Sequence, residues 1–146
     1  GEHTSYYFNV KVDALEEALD MFAQFFVAPL MLEDAVDREL NAIQNEFQLS
    51  RSSEASRLQE IVCASTRENH PMGKFGWGNL RTLRDEPAKK GIEPLKRLRA
   101  FYEEHYVASN MKLSICAPTS LDELERMVAG ICNVIRSNPD YTPLSL

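Results

Sequence analysis

Histidine is scarce in this sequence: there are three among 146 residues, and no two stand at the spacing of a zinc motif. Neither HExxH nor its inverted form HxxEH occurs, so the sequence does not contain a complete local zinc site. No Ser-His-Asp constellation can be proposed from the order of these residues either. His3, His70 and His105 are therefore interpreted as structural or surface residues.

Basic residues are fewer than acidic residues, and long apolar runs are missing. The 16 basic residues are outnumbered by 22 acidic ones, which gives a net charge of −6. Proteins that bind nucleic acid show a basic patch or stripe, so the composition argues against a nucleic-acid partner. No apolar run approaches the roughly 18 residues that suggest a membrane span, and we expect none.

The sequence contains three cysteines, and their spacing does not suggest a motif of paired cysteines. Cys63, Cys116 and Cys132 include no CxxC pair, and an odd, small number is not typical of a disulfide scaffold. This favours a reducing compartment such as the cytoplasm. Cys116 lies in an apolar run that predicts a strand, so its thiol is expected to be buried and inert.

The pattern of apolar residues predicts two strands and four helices. Alternation predicts strands at residues 4–12 and 111–117, and helical spacing predicts helices at 13–28, 33–65, 93–106 and 120–137. Asp13 and Ser120 each stand three residues before a glutamate, which predicts N-caps. The serines at 50–53 predict a break in the long second helix, because serine competes for backbone hydrogen bonds. The fold class is therefore α+β.

Glycine is concentrated in one segment, residues 70–87, which holds three of the six glycines together with two prolines. This composition predicts an ordered loop. Lys74 beside the glycines raises the alternative of a phosphate cradle. Since neither GxGxxG nor GxxxxGK[ST] is matched, a packed surface loop is favoured.

Two carboxylates, Glu39 and Glu46, stand seven residues apart inside the predicted second helix. Seven residues make nearly two helical turns, so both lie on one face. Spacing alone favours a pair of solvated glutamates, since charged side chains are seldom buried. Ile43 lies between them on the same face, so the pair flanks an apolar strip, and a metal-binding role stays open as the alternative.

Four segments in sequence order carry a resemblance to a known family: GEHTSYYFNV, EALDMFAQFFVAPL, DRELNAIQNEFQLSR and HPMGKFGWGNLRTL. Together they resemble the insulinase/pitrilysin zinc endopeptidases over essentially the whole chain. The resemblance implies an antiparallel sheet covered by helices. It also implies that residues 1–137 are a fragment of the catalytic domain, downstream of an HxxEH helix. Residues 138–146 contain Pro139 and Pro143, and this composition predicts a linker.

The resemblance implies roles for the two glutamates. Glu46 corresponds to the third zinc ligand of the family, and Glu39 to the glutamate that supports the site from behind the ligands. The family commonly has Asp-Ser before the ligand, where this sequence has Gln44 and Asn45; we expect a small effect. Two ligands and the catalytic base, which belong to HxxEH, are absent from this chain. The chain alone is therefore expected to be inactive.

The resemblance further implies a zinc-dependent endopeptidase. Its partners would be the remainder of the same protein and an extended peptide, cleaved next to basic residues in some members of the family. Two other hypotheses remain open. The chain could belong to an inactive homologous domain that serves as a scaffold or as the wall of a peptide-binding chamber. It could also be a metal-free helical interaction domain.

Overall fold

The computed structural model describes residues 3–74 and 76–141, and these residues form helices joined by irregular segments. The α-helices are α1 (Leu15–Val27), α2 (Glu33–Ser50), α3 (Glu54–Ala64), α4 (Glu86–Lys89), α5 (Pro94–His105) and α6 (Leu121–Cys132). A π-helical turn, Arg81–Asp85, leads into α4. Short 3₁₀ turns lie at Val12–Ala14, Pro71–Gly73 and Ala108–Asn110.

The predicted α+β class is wrong for the described residues, which contain no β-strand. Residues 4–11 and 111–117 carry neither helix nor strand, although Lys11 (φ −65°, ψ 148°) and Met111 (φ −114°, ψ 152°) have extended backbone. A strand requires a ladder of hydrogen bonds to a neighbour, and neither segment forms one within those ranges. The alternating sequence identified extended chain but could not supply its partner.

The serine-rich break in the second predicted helix is confirmed. α2 ends at Ser50, and α3 begins at Glu54. Ser52 Oγ donates to the Leu49 carbonyl at 2.8 Å, and Ser53 Oγ accepts the Ser56 N–H at 3.3 Å. These side chains satisfy groups at the two helix ends, which is why the chain changes course here.

The two predicted N-caps have different outcomes. Ser120 caps α6, because its hydroxyl accepts the Glu123 N–H at 3.2 Å. The cap predicted at Asp13 is wrong: Asp13 lies inside a 3₁₀ turn, and α1 begins after Ala14 without a side-chain cap. The local turn at 12–14 therefore takes the place of the cap.

The described residues within Gly1–Leu30 and Glu103–Pro143 form one compact unit, in which α1 packs against α6. Its buried side chains are Leu19, Ala23, Val107 and Leu124. An aromatic cluster adjoins them: Tyr6 and Phe26 have ring centroids 5.3 Å apart, and the Tyr6 and Tyr106 hydroxyls are 2.6 Å apart. Burial, aided by Tyr6, raises the pKa of Tyr106 to about 12, so its hydroxyl stays protonated at neutral pH.

The predicted linker, residues 138–146, extends beyond the described residues after Tyr141. Its described part is hydrogen-bonded to the last residue of α5 and to the chain that follows α5. Ser109 Oγ donates to the Asn138 carbonyl at 2.6 Å, and the Tyr141 hydroxyl lies 3.1 Å from His105 Nδ1. Residues 138–141 are thus attached at several points to the unit that contains α6.

Two further expectations concern the burial of the Cys116 thiol and the absence of a membrane-spanning helix. Cys116 is exposed, so its predicted burial is wrong; the sheet expected to cover it does not form in the described ranges. Cys63 and Cys132 are partly buried free thiols. Among the helices described, none is long and apolar enough to cross a membrane.

The second compact unit contains Met31–Tyr102, and α2 is its longest helix. Glu33 and Asp34 occupy the first turn of α2, where the helix dipole favours negative charge. Leu40 is buried, and Ile43 and Phe47 are half-buried on the same side. This apolar side determines which residues of α2 point outward, including the two glutamates.

Candidate metal centre

Glu39 and Glu46 both lie on α2, as predicted, and both are exposed. Seven residues advance an α-helix by about 10 Å and return it to within about 20° of the starting direction. The two carboxylates therefore project in nearly the same direction. They flank the buried side of the helix, with half-buried Ile43 between them along the helix.

Neither carboxylate forms a hydrogen bond or ion pair with another residue of the described ranges. The neighbouring charges are engaged elsewhere: Arg38 Nη1 pairs with Asp34 at 2.5 Å, one helical turn back. The Asp37 backbone carbonyl accepts a hydrogen bond from Asn41 Nδ2 at 2.8 Å. Glu39 and Glu46 thus keep their oxygen atoms accessible to a ligand.

A carboxylate oxygen is an accepted zinc ligand, so Glu46 fits as one donor of a zinc site. A catalytic site needs three protein ligands, and no group of three His, Cys, Asp or Glu suitable for a metal occurs within residues 3–74 and 76–141. The histidine of this unit is engaged locally, since His70 Nδ1 accepts the Met72 N–H at 3.2 Å. The described residues therefore offer part of a site.

The glycine-rich segment folds into a cap followed by helix, and not into a loop through residue 87 as predicted. Asn79 is 6% exposed, and its Oδ1 accepts the Thr82 N–H at 3.0 Å. Thr82 Oγ1 accepts the Asn79 N–H at 3.1 Å, which completes a reciprocal cap. The Asn-x-x-Thr spacing was the sequence feature that could have revealed this helix start.

Gln44 is a residue of this region whose contact the sequence did not reveal. Its side-chain oxygen Oε1 accepts the backbone N–H of Leu80 at 3.0 Å. The bond joins α2 to the start of the helical run at residue 81, across 36 positions of sequence. The helix that carries Glu39 and Glu46 is therefore fixed to the glycine-rich segment.

A side chain at Gly78 is expected to displace the side chain of Leu83. A Cβ at Gly78 would lie 2.3 Å from Leu83 Cδ1 and 2.9 Å from Leu83 Cγ. We predict that Gly78→Ala lowers the free energy of unfolding by about 1 kcal/mol, the lower end of the usual effect of overpacking, because the exposed side chain of Leu83 can move. Gly76→Ala is the matched control, since a Cβ there meets no atom of the described, non-adjacent residues within 4 Å. Chemical unfolding measures both, and equal stability of the two variants would contradict the prediction.

Comparison with known families gives two matches along the chain. The model described as insulinase, peptidase family M16, matches residues 1–75. A model described as the peptidase M16 inactive domain matches residues 94–145. Glu39, Glu46 and Gln44 all lie in the first matched segment.

Individual relatives share much of the sequence. Nardilysin of Rattus norvegicus is 44% identical over 148 residues, which cover 99% of this chain and 13% of nardilysin. Insulin-degrading enzyme-like 1, peroxisomal, of Arabidopsis thaliana is 39% identical, covering 97% of this chain and 15% of that protein. Insulin-degrading enzyme of Homo sapiens is 38% identical, covering 94% and 13%. The chain thus spans a small part of the length of these relatives.

A solved structure shares the arrangement of the chain. The crystal structure of pitrilysin superposes with a TM-score of 0.81 at 30% sequence identity. The superposition covers 94% of this chain and 14% of the pitrilysin chain. The backbone described above therefore has a counterpart within a larger protein.

Proposed function

The chain belongs to the insulinase family of peptidases, M16, and on that premise we propose that it is a segment of a zinc-dependent endopeptidase. The resemblance drawn from the sequence motifs is confirmed, including a likeness to nardilysin suggested by HPMGKF and EFQLSR. The observation that carries the proposal is the pair of exposed carboxylates on one face of α2, which have no partner among residues 3–74 and 76–141 and lie inside the segment matched by the M16 model.

In the proposed site, Glu46 is the third protein ligand of zinc, and Glu39 orients the surroundings of that ligand. A bound zinc ion would supply a Lewis acid that polarises the peptide carbonyl and activates water. The role of α2 is to hold the Glu46 carboxylate rigidly, because a helix fixed by a buried face restricts the directions of its side chains. Glu39, on the same face about 10 Å away along the axis, contributes negative charge behind the ligand.

The remaining ligands and the catalytic base are proposed to come from an HxxEH segment outside this chain. We call the longer protein that would contain both segments the parent protein. Within it, residues 1–137 are proposed as a piece of the catalytic domain and residues 138–146 as a linker. The isolated chain is then expected to bind zinc weakly and to be inactive, since a metal site short of most of its ligands does not form.

The proposed substrate is a peptide in extended conformation, bound by adding a strand to a sheet edge of the parent protein. Cleavage next to basic residues is proposed as its specificity. Acidic residues outnumber basic ones in this chain by 22 to 16, which is compatible with a basic peptide. Charge of this kind accelerates encounter with an oppositely charged partner and weakens as salt is raised.

A second candidate function is a catalytically inactive domain that shapes a peptide-binding chamber. The observation that favours it is the match of residues 94–145 to a model described as an inactive domain. The first proposal accounts for the same match, because both glutamates lie outside that segment. The two candidates differ in whether the parent protein holds zinc.

Metal analysis of the purified parent protein tests the proposal. We expect about one zinc ion per catalytic domain, together with hydrolysis of a basic peptide that a zinc chelator abolishes and added zinc restores. A parent protein with an intact HxxEH that binds the peptide but holds no zinc would favour the inactive chamber instead. The measurement uses elemental mass spectrometry beside a peptide-cleavage assay.

A further inference from the structure

Gln44 stands two residues before Glu46 on α2, and its side chain makes a tertiary hydrogen bond. Two residues rotate an α-helix by about 200°, so Gln44 projects from nearly the opposite side to Glu46. Gln44 is half-buried, whereas Glu46 is exposed. The bond from Leu80 N–H to Gln44 Oε1, at 3.0 Å, therefore holds α2 from the side opposite to the carboxylate.

Leu80 has a structural need for this acceptor. It follows the buried cap residue Asn79, and the first N–H groups of a helix have no acceptor within the helix. The cap oxygens are occupied: Asn79 Oδ1 accepts the Thr82 N–H at 3.0 Å, and the Asn79 carbonyl accepts the Leu83 N–H at 2.9 Å. Gln44 Oε1 accepts the Leu80 N–H, a donor for which the local cap provides no acceptor.

We propose that Gln44 is a positioning residue, which fixes the rotation of α2 about its axis and thereby the direction of the Glu46 carboxylate. The inference rests on the proposed function, because it assigns Gln44 a role only through Glu46. This hydrogen bond is directional, so it favours one rotation of α2 about its axis in addition to the apolar contacts of the buried side.

Three variants of the parent protein test the proposal. Gln44→Met keeps the length of the side chain and removes its acceptor, whereas Gln44→Glu keeps an acceptor oxygen. Gln48→Met is the matched control, because Gln48 stands two residues after Glu46 and is exposed. Among the described residues, its side chain accepts one hydrogen bond, from Arg51 Nη1 at 3.4 Å. Amide hydrogen exchange over residues 79–83 reports the bond, and the rate of zinc loss to a chelator reports the metal site.

Gln44→Met is expected to accelerate both exchange at the 79–83 amides and zinc loss about 10-fold, with zinc stoichiometry retained. Gln44→Glu and Gln48→Met are expected to stay within about twofold of the unaltered protein in both measurements. Faster exchange with unchanged zinc loss would reduce Gln44 to a structural residue and overturn the proposal. Equal effects of Gln44→Met and Gln48→Met would overturn it as well.

The proposed function is tested separately by substituting Glu46 itself. If Glu46→Gln keeps its zinc, the assignment of the ligand fails, and the effect of Gln44→Met on exchange remains as a fact about the fold. If Glu46→Gln loses its zinc while Gln44→Met leaves zinc loss unchanged, only the positioning role fails. The two results therefore separate the failure of the ligand assignment from that of the inference.

Discussion

Glu46→Gln in the parent protein is expected to lose bound zinc and to reduce peptide hydrolysis by about 1000-fold or more, with little change in fold. The neutral amide would replace the proposed anionic oxygen donor, and a site that lacks one of its three proposed protein ligands is too weak to hold the metal. Glu46 is exposed and unpartnered in the described ranges, so the change should alter stability by less than about 0.5 kcal/mol. Elemental analysis, peptide-cleavage kinetics and thermal unfolding measure the three effects.

Glu39→Gln is the graded comparison on the same helix. Residues that support a metal ligand without touching the metal typically contribute 10- to 100-fold in affinity, so we expect about that loss with zinc still bound at saturation. Glu33→Gln, an exposed change of the same chemistry in the first turn of α2, is the control and should leave zinc binding unchanged. Normal zinc content and turnover in Glu46→Gln would assign the ligand to a different carboxylate.

The sequence predicted the helices of this chain better than it predicted their ends. Apolar spacing located α1, α2, α5 and α6, and the serines after Leu49 located the break before α3. The helix start at Asn79 was missed because glycines on its N-terminal side suggested a continuous loop. Gly78 instead allows close approach of Leu83, a contact within the segment that composition does not reveal.

The strands were predicted wrongly for a different reason. Alternation at residues 4–12 and 111–117 describes how side chains would face a sheet, but pairing depends on a second segment of backbone. Tyr7, exposed at 88%, and Leu113, exposed at 49%, show apolar surface that the described residues do not cover. Local pattern therefore identified extended chain and could not identify its partner.

In the candidate site, too, local features could be predicted from the sequence and distant contacts could not. The shared face of Glu39 and Glu46 follows from helical periodicity, so the sequence predicted it. The pairing of Arg38 with Asp34 follows from helical periodicity as well, because residues four apart are neighbours on a helix and the adjacent Glu39 does not face Arg38. The bond between Gln44 and Leu80 needed coordinates, since nothing in the sequence links positions 36 residues apart.

Leu40→Ala in the parent protein is expected to lower the free energy of unfolding of the catalytic domain by about 2–5 kcal/mol. Leu40 is 8% exposed and is the buried residue of α2, so truncation removes apolar contacts and leaves a cavity. Leu40→Met nearly conserves volume and should cost less than about 1.5 kcal/mol. Chemical unfolding of the two variants, with hydrogen exchange over α2 as the local measurement, gives the comparison.

Leu40→Ala also separates support of the helix from binding of the metal, because Leu40 is rotated by about 100° from Glu39 around the helix and is buried, whereas Glu39 is exposed. The folded fraction of Leu40→Ala should still bind zinc at the stoichiometry of the unaltered protein, whereas Glu46→Gln should remain folded without zinc. This reversal of effects is expected only if one side of α2 holds the helix in place and the other holds the metal. Equal unfolding free energies for Leu40→Ala and Leu40→Met would show that α2 is held by contacts other than the side chain of Leu40.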